Sequence, residues 1–126
     1  MTDRIVLSGI LVEGRHGVHP HEREVPQAFA VDVELALDLR PAGTTDDLAR
    51  TVDYGTVDAL VREIVEARSF FLIEALAEAI AAAILAAYPV DEVVVRVRKP
   101  AVLLNGPVEA VEVEIRRGRA GGSATG

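Results

Sequence analysis

Residues 28–39 read "AFAVDVELALDL" and alternate with a period of two. Phe29, Val31, Val33, Leu35, Leu37 and Leu39 fall on one side, and Ala30, Asp32, Glu34, Ala36 and Asp38 on the other. That period belongs to a strand with one face on a core; a helix would scatter the same apolar residues around its axis. The chain must therefore build a sheet around this segment. The charged side is expected to be wet or to face a polar interior.

The rest of the chain supplies the partners. Residues 4–13 read as a strand, with Ile5, Leu7 and Leu11 alternating against Val6, Ser8 and Ile10. Residues 92–99 and 108–116 read as two more. "RPAGTTDDLARTVDYG" is a turn-rich connection. A helix is expected over 56–67, with Val57, Leu60, Val61, Ile64 and Val65 on one stripe. A second is expected over 72–88, with Leu76, Ile80 and Ile84 in phase and Pro89 marking its end. The order strand, strand, helix, helix, strand, strand predicts an α+β fold: a four-stranded antiparallel sheet with both helices on one face. Four long strands leave two open edges, a liability that oligomerisation edge to edge would remove. One domain is expected over 1–117, and a small-residue tail over 118–126, within "RRGRAGGSATG", is expected to be flexible.

Composition narrows the function. The net charge of −7 argues against nucleic acid or an anionic membrane as partner, since both need a basic face. The chain has no cysteine, which excludes disulfides and thiolate chemistry and fits a reducing compartment. "MTDRIVLSGI" turns polar too soon for a signal peptide. "ALAEAIAAAILAAY" is too short to span a bilayer and carries Glu78. A cytoplasmic globular protein is expected.

One cation stands apart. Lys99 is the single lysine beside twelve arginines. Strand alternation puts it on the face of Val93, Val95 and Val97, while Arg96 and Arg98 take the other. An amine among apolar groups can lose its proton on desolvation; a guanidinium cannot. Lys99 is thus either a snorkelling rim residue or a proton carrier that arginine could not replace.

Three other stretches carry candidate chemistry. "GRHGVHPHERE" holds His16, His19 and His21 beside Glu22 and Glu24, in a connection longer than a tight hairpin needs. The histidine spacing fits neither a helical H-x-x-x-H nor a zinc pattern, and Pro20 stiffens the segment, so no metal is expected. Gly14 and Gly17 read as turn residues, and the histidines as solvated loop residues. In "TVDYG", Asp53 is a plausible helix N-cap, and Tyr54 either packs by its ring or carries chemistry. Glu74 begins a helix among Phe70, Phe71, Leu72, Ile73 and Leu76, an apolar setting in which a buried carboxylate wants a partner. One amine, one phenol and two carboxylates at element ends suit proton shuffling on a small, flat, hydrogen-bonding substrate.

These segments, in this order, resemble the dihydroneopterin aldolase family, whose fold is the tunnelling fold. The resemblance runs over about 4–117 and rests on "GRHGVHPHEREVPQAFAVDVEL", "DLARTVDYGTV", "FFLIEALAEAI" and "VRVRKP". It implies that Glu74 anchors a pterin through paired N–H donors and that Lys99 is the general acid/base. It implies that Glu22 orients the substrate tail or the lysine, and that Tyr54 of a neighbouring subunit relays a proton. Ile73, Val52, Asp53 and Val18 would complete the binding site. The implied reaction is retro-aldol cleavage of 7,8-dihydroneopterin without metal or other cofactor, in tetrameric rings closing a β-barrel, often stacked into octamers. The chain departs from the family pattern after Pro100: residues 101–107 read "AVLLNGP", and Val108 stands where a phenylalanine is common. That departure bears on the pocket rim. Three alternatives stand beside it: a 2′-epimerase of the family with the same acid/base set, a zinc-dependent pterin synthase-like enzyme using the histidine cluster, and a non-catalytic pterin-binding oligomer in which Lys99 and Glu74 only hold the ligand.

Overall fold

The computed structural model describes residues 3–119, and the side chains of all of these except 100–103. Strands β1 (Asp3–Gly14), β2 (Gln27–Leu37), β3 (Glu92–Leu103) and β4 (Pro107–Gly118) form one antiparallel sheet in the order β1-β2-β3-β4. Short helices α1 (Pro20–Glu24) and α2 (Arg40–Thr45) lie in the connections before and after β2. Helices α3 (Tyr54–Ala67) and α4 (Ile73–Ala87) pack against the sheet and each other. This is the expected α+β arrangement. No helix among the described residues is long and apolar enough to cross a membrane.

The core lies between sheet and helices. β2 contributes Phe29, Val31, Val33 and Leu35, β3 contributes Val93, Val95 and Val97, and all seven are fully buried. Val57, Val61 and Val65 of α3 and Leu76, Ile80 and Ile84 of α4 meet them from above. The alanines between these positions in α4, Ala77 and Ala81, are buried too, which lets the helix lie close to the sheet.

β1 corrects the expected alternation. Leu7 pairs with Val33 and Ile10 with Val31, so β1 carries one residue more than its partner here. The extra residue is accommodated at Ser8–Gly9, where Gly9 has φ +69°, a conformation that favours glycine. A bulge of this kind exchanges the faces beyond it. Ile5 and Leu7 face inward before it, Ile10 and Val12 after it, and Leu11 is turned out to solvent.

The outer face of the sheet is a ladder of paired charges rather than an open wet surface. Glu34 accepts from Arg4 at 2.7 Å and from Arg96 at 2.5 Å, and Arg96 continues to Glu114 at 2.7 Å. In the next row Asp32 accepts from Arg98 at 3.0 Å and from the Gly9 N–H at 2.7 Å, and Arg98 continues to Glu112 at 2.7 Å. The Arg98 guanidinium outweighs the burial that would raise the Asp32 carboxyl, and holds it below the ordinary range; Arg96 does the same for Glu34. Unfolded, these carboxyls take up protons near 3.8 and 4.5. Between those values and the lower folded ones the unfolded chain binds more protons, so stability is full above about pH 5 and falls as acid is added. Melting temperature should therefore drop steeply below about pH 4, and Asp32→Asn should flatten that limb while lowering the plateau. An acid limb of the same steepness in parent and variant would show that the ladder does not carry it.

The C-terminal hairpin is longer than expected. β3 and β4 extend to a turn at 104–106, with Leu103 opposite Pro107. Arg116, Arg117 and Gly118 pair with Val94, Val93 and Glu92, so β4 runs to Gly118, the first residue of the expected tail. The Arg116–Glu92 and Arg117–Glu78 pairs, at 2.7 and 2.5 Å, explain the extension. Arg119 donates to the Leu85 and Tyr88 carbonyls at the end of α4. The remainder of the expected tail, 120–126, lies outside the described residues.

Candidate active site

The β1–β2 connection folds back over the open end of the sheet. His19 precedes α1, and Glu22 reaches back so that its Oε1 accepts from the His19 N–H at 3.1 Å. Its other oxygen, Oε2, accepts from Lys99 Nζ at 2.5 Å. Lys99 continues the inward parity of Val93, Val95 and Val97 past the edge of the core, opposite Val111 of β4. Its side chain is 16% exposed and that of Glu22 13%. The lysine is thus paired with a carboxylate, not isolated among valines. Burial alone would push the Glu22 carboxyl up, but Lys99 and the His19 N–H outweigh it and hold it below the ordinary range.

The two glycines of this connection make room rather than merely turning the chain. A Cβ on Gly17 would lie 2.4 Å from Glu22 Cδ, so any side chain there would displace the carboxylate. A Cβ on Gly14 would lie 2.8 Å from both His16 Nε2 and Val65 Cγ1. Arg23 fixes the strip from below, donating to the Gly17 and Val18 carbonyls, both at 2.8 Å, with its guanidinium 4.3 Å from the Phe71 ring centroid.

The histidines do not converge. His16 is fully buried; its Nε2 lies 2.8 Å from the Val65 carbonyl oxygen, and its Nδ1 accepts from the Phe70 N–H at 3.1 Å. Burial holds its imidazole below the ordinary range; the Val65 bond offsets part of this and the Lys99 charge adds to it. His19 and His21 stack on each other outside the core, ring centroids 5.8 Å apart. The expectation of a solvated loop residue is therefore wrong for His16.

A cleft of about 580 Å³ opens above these groups. Glu22 and Lys99 line it together with Ile73 and Glu74 of α4. Val18, Phe71, Leu72 and Leu104 form an exposed apolar mouth. Glu74 corrects an expectation: its carboxylate is exposed, not buried. It occupies the first turn of α4, where a negative charge complements the helix dipole, and it faces the open cleft, not the core. The cleft also takes in His19 and His21, read from the sequence as solvated loop residues, and Gln27 and Val111, which the sequence reading did not single out. Gln27 was findable: it continues the inward parity of Phe29 and Val31, so a polar side chain there marks the point where core gives way to pocket. Of the altered rim, residues 101–103 have side chains outside the described set, while Leu104 reaches the cleft.

Five of the eight expected site residues (Val18, Glu22, Ile73, Glu74 and Lys99) thus meet in one cleft. Tyr54, Val52 and Asp53 do not line it. Asp53 caps α3, accepting from the Gly55 N–H at 2.9 Å, and Val52 is buried. Tyr54 does not pack by its ring and is not among the residues that line the cleft with Lys99: it is 64% exposed. The Thr56 and Tyr88 hydroxyls, 2.8 Å apart, tie the start of α3 to the end of α4. Glu74 stands at the opposite end of that 15-residue helix, about 21 Å from Tyr88 at 1.5 Å per residue.

A sheet with both helices on one face ends in a cleft lined by an amine and two carboxylates, groups able to exchange protons with a small polar ligand. The family model for dihydroneopterin aldolase matches residues 5–116. The dihydroneopterin aldolase of Streptomyces coelicolor is 47% identical over 117 residues, 93% of this chain and 98% of that one. The crystal structure of E. coli dihydroneopterin aldolase in complex with neopterin is 30% identical, with a TM-score of 0.86 over 92% of this chain and 99% of that one. The Burkholderia thailandensis dihydroneopterin aldolase bound to guanine is 29% identical, with a TM-score of 0.76 over 94% of this chain and 92% of that one. The chain belongs to the dihydroneopterin aldolase family. It is an enzyme with that family's aldolase activity.

Proposed function

We propose that the cleft binds 7,8-dihydroneopterin and cleaves it to 6-hydroxymethyl-7,8-dihydropterin and glycolaldehyde, a step of folate biosynthesis in the cytoplasm. The observation that carries this reading is the Lys99–Glu22 pair at 2.5 Å, held in the same cleft as Glu74, an exposed carboxylate without a side-chain partner among the described residues. Neopterin and guanine, the ligands of the two related structures, share a pyrimidinone edge carrying an amino group and a ring N–H. A carboxylate accepts that pair in parallel, and Glu74 is the group for it. Val18 and Ile73 flank the ring.

In the reaction the 2′-hydroxyl gives up its proton and the C1′–C2′ bond breaks. Its electron pair moves into the N5=C6 imine of the substrate, glycolaldehyde departs, and a proton then returns to C1′. Because the imine accepts the electrons, the step calls for no Schiff base and no cofactor. Lys99, working through an ordered water near N5, moves the protons, and Glu22 orients the lysine by the bond already described. Tyr54, with Val52 and Asp53 beside it, is supplied by a neighbouring subunit to relay the proton at C1′. Its exposure and the length of α4 support this. The assembly is a tetrameric ring that closes the 1–117 domains into a barrel, alone or stacked as an octamer.

Two measurements test the reading. Incubation with 7,8-dihydroneopterin should yield glycolaldehyde in preference to the 2′-epimer. Mixed after unfolding and refolding together, inactive Tyr54→Phe and Lys99→Ala subunits should regain part of the parent activity through hybrid sites. A fully active monomer in sedimentation would remove the shared site.

A further inference from the structure

His16 is a fully buried titratable group that the proposed reaction leaves unused, and its surroundings are unusual. Both ring nitrogens meet backbone groups, and both groups belong to the joint between α3 and α4. Helix α3 ends at Ala67, so the Val65 carbonyl is among the last four that lack a partner within the helix. Phe70 lies in the link before α4, and its N–H is spent on the imidazole. Since that N–H must donate, Nδ1 is the acceptor, which leaves Nε2 to carry the proton given to the Val65 carbonyl. The ring is fixed by Phe29, edge-on with centroids 5.3 Å apart, and by Phe70, stacked at 5.8 Å.

The strand end around His16 repeats the contact on both sides. The next N–H, from Gly17, donates to the Phe70 carbonyl at 2.9 Å, and the Ser69 hydroxyl donates to the Arg15 carbonyl at 2.6 Å. Residues 15–17 therefore splint residues 65–70. One end of the splint leads through Gly17 to Glu22, and the other leads through Phe71 and Leu72 to Glu74. We propose that His16, as the neutral Nε2–H tautomer, is a positioning residue for ligand binding: it sets the first turn of α4, and so Glu74, at the correct distance from the Glu22–Lys99 pair. The proposal rests on the reading of Glu74 as the ligand anchor. It concerns binding and not the chemical step, because neither bond of His16 is made to α1 or β3.

The test compares His16→Leu, which removes both bonds, with His16→Gln, whose amide offers one donor and one acceptor a similar distance apart. His16→Leu should raise KM for 7,8-dihydroneopterin about ten- to a hundredfold, the scale of a small misplacement transmitted to a binding group, with kcat within a few-fold. His16→Gln should restore most of the loss. In ¹⁵N-histidine spectra of the parent, His16 should carry its proton on Nε2 at neutral pH. If His16→Leu does not fold, His16→Met, which fills space and donates nothing, is read in the same way. A lowered melting temperature with unchanged KM would make His16 a packing residue only, and a proton on Nδ1 would equally overturn the proposal. Glu74→Gln is the control: if it too leaves KM unchanged, the anchor reading falls together with this one, whereas an effect at Glu74 without one at His16 sinks this one alone.

Discussion

Lys99→Arg should bind 7,8-dihydroneopterin within a few-fold of the parent and cleave it about 10²–10⁴ times more slowly, the usual contribution of a general acid/base. Arginine keeps the positive charge, so the attraction to Glu22 survives. Its planar fork would engage that carboxylate with two parallel bonds where the lysine makes one at 2.5 Å. It cannot release a proton near neutral pH. Stability should change little, because Lys99 lies where the strand leaves the core, 16% exposed, and the buried run ends at Val97. Single-turnover cleavage, recorded beside a thermal melt, is the measurement. Cleavage within a few-fold of the parent would reduce Lys99 to the paired rim residue that its position alone also allows.

The legible part of this molecule is the part that repeats. Alternation in β2 identified the inward residues Phe29 to Leu37, and the same rule carried along β3 put Lys99 at the end of an inward row. The helical stripes of α3 and α4 were readable for the same reason. What escaped is set by single events between distant segments. The bulge at Ser8–Gly9 inverts Leu11 and Ile10 through one inserted residue, and a glycine in a strand is the only local sign of it. His16 differs from His19 and His21 by direction alone: the strand it follows aims it at a gap between helices about fifty residues away in sequence. Gly14 and Gly17 looked like turn residues because their real constraint, the bulk of His16 and Glu22, becomes visible only when the segments meet. Glu74 was expected to be buried because its sequence neighbours are apolar. Phe71, Leu72 and Ile73 line the same open cleft, so the carboxylate beside them stays exposed while Leu76 takes the core side of the helix.

Glu74→Ala should abolish detectable binding of neopterin, whereas Glu74→Gln should retain a weak remnant. The carboxylate offers two acceptor oxygens to the amino and ring N–H groups of the ligand edge. Alanine leaves both donors without a partner in a pocket whose mouth is formed by Val18, Phe71 and Leu72. An unmade bond of this kind costs about 1 to 3 kcal/mol, and more where a charged group was the partner; two of them lower affinity by about a hundredfold or more at 1.4 kcal/mol per decade. Glutamine presents one oxygen and turns its amide nitrogen towards the second donor, so one bond is kept and the other becomes a contact between donors. The variants should fold, because Glu74 is exposed at the start of α4. What is lost in the free protein is one favourable charge at the start of α4, worth about 0.3 to 1 kcal/mol. Titration calorimetry with neopterin, and with guanine as the smaller probe of the same edge, separates the two roles. If affinity is unchanged in both variants while the melting temperature falls slightly, Glu74 serves the helix end alone and the ligand is held by other groups.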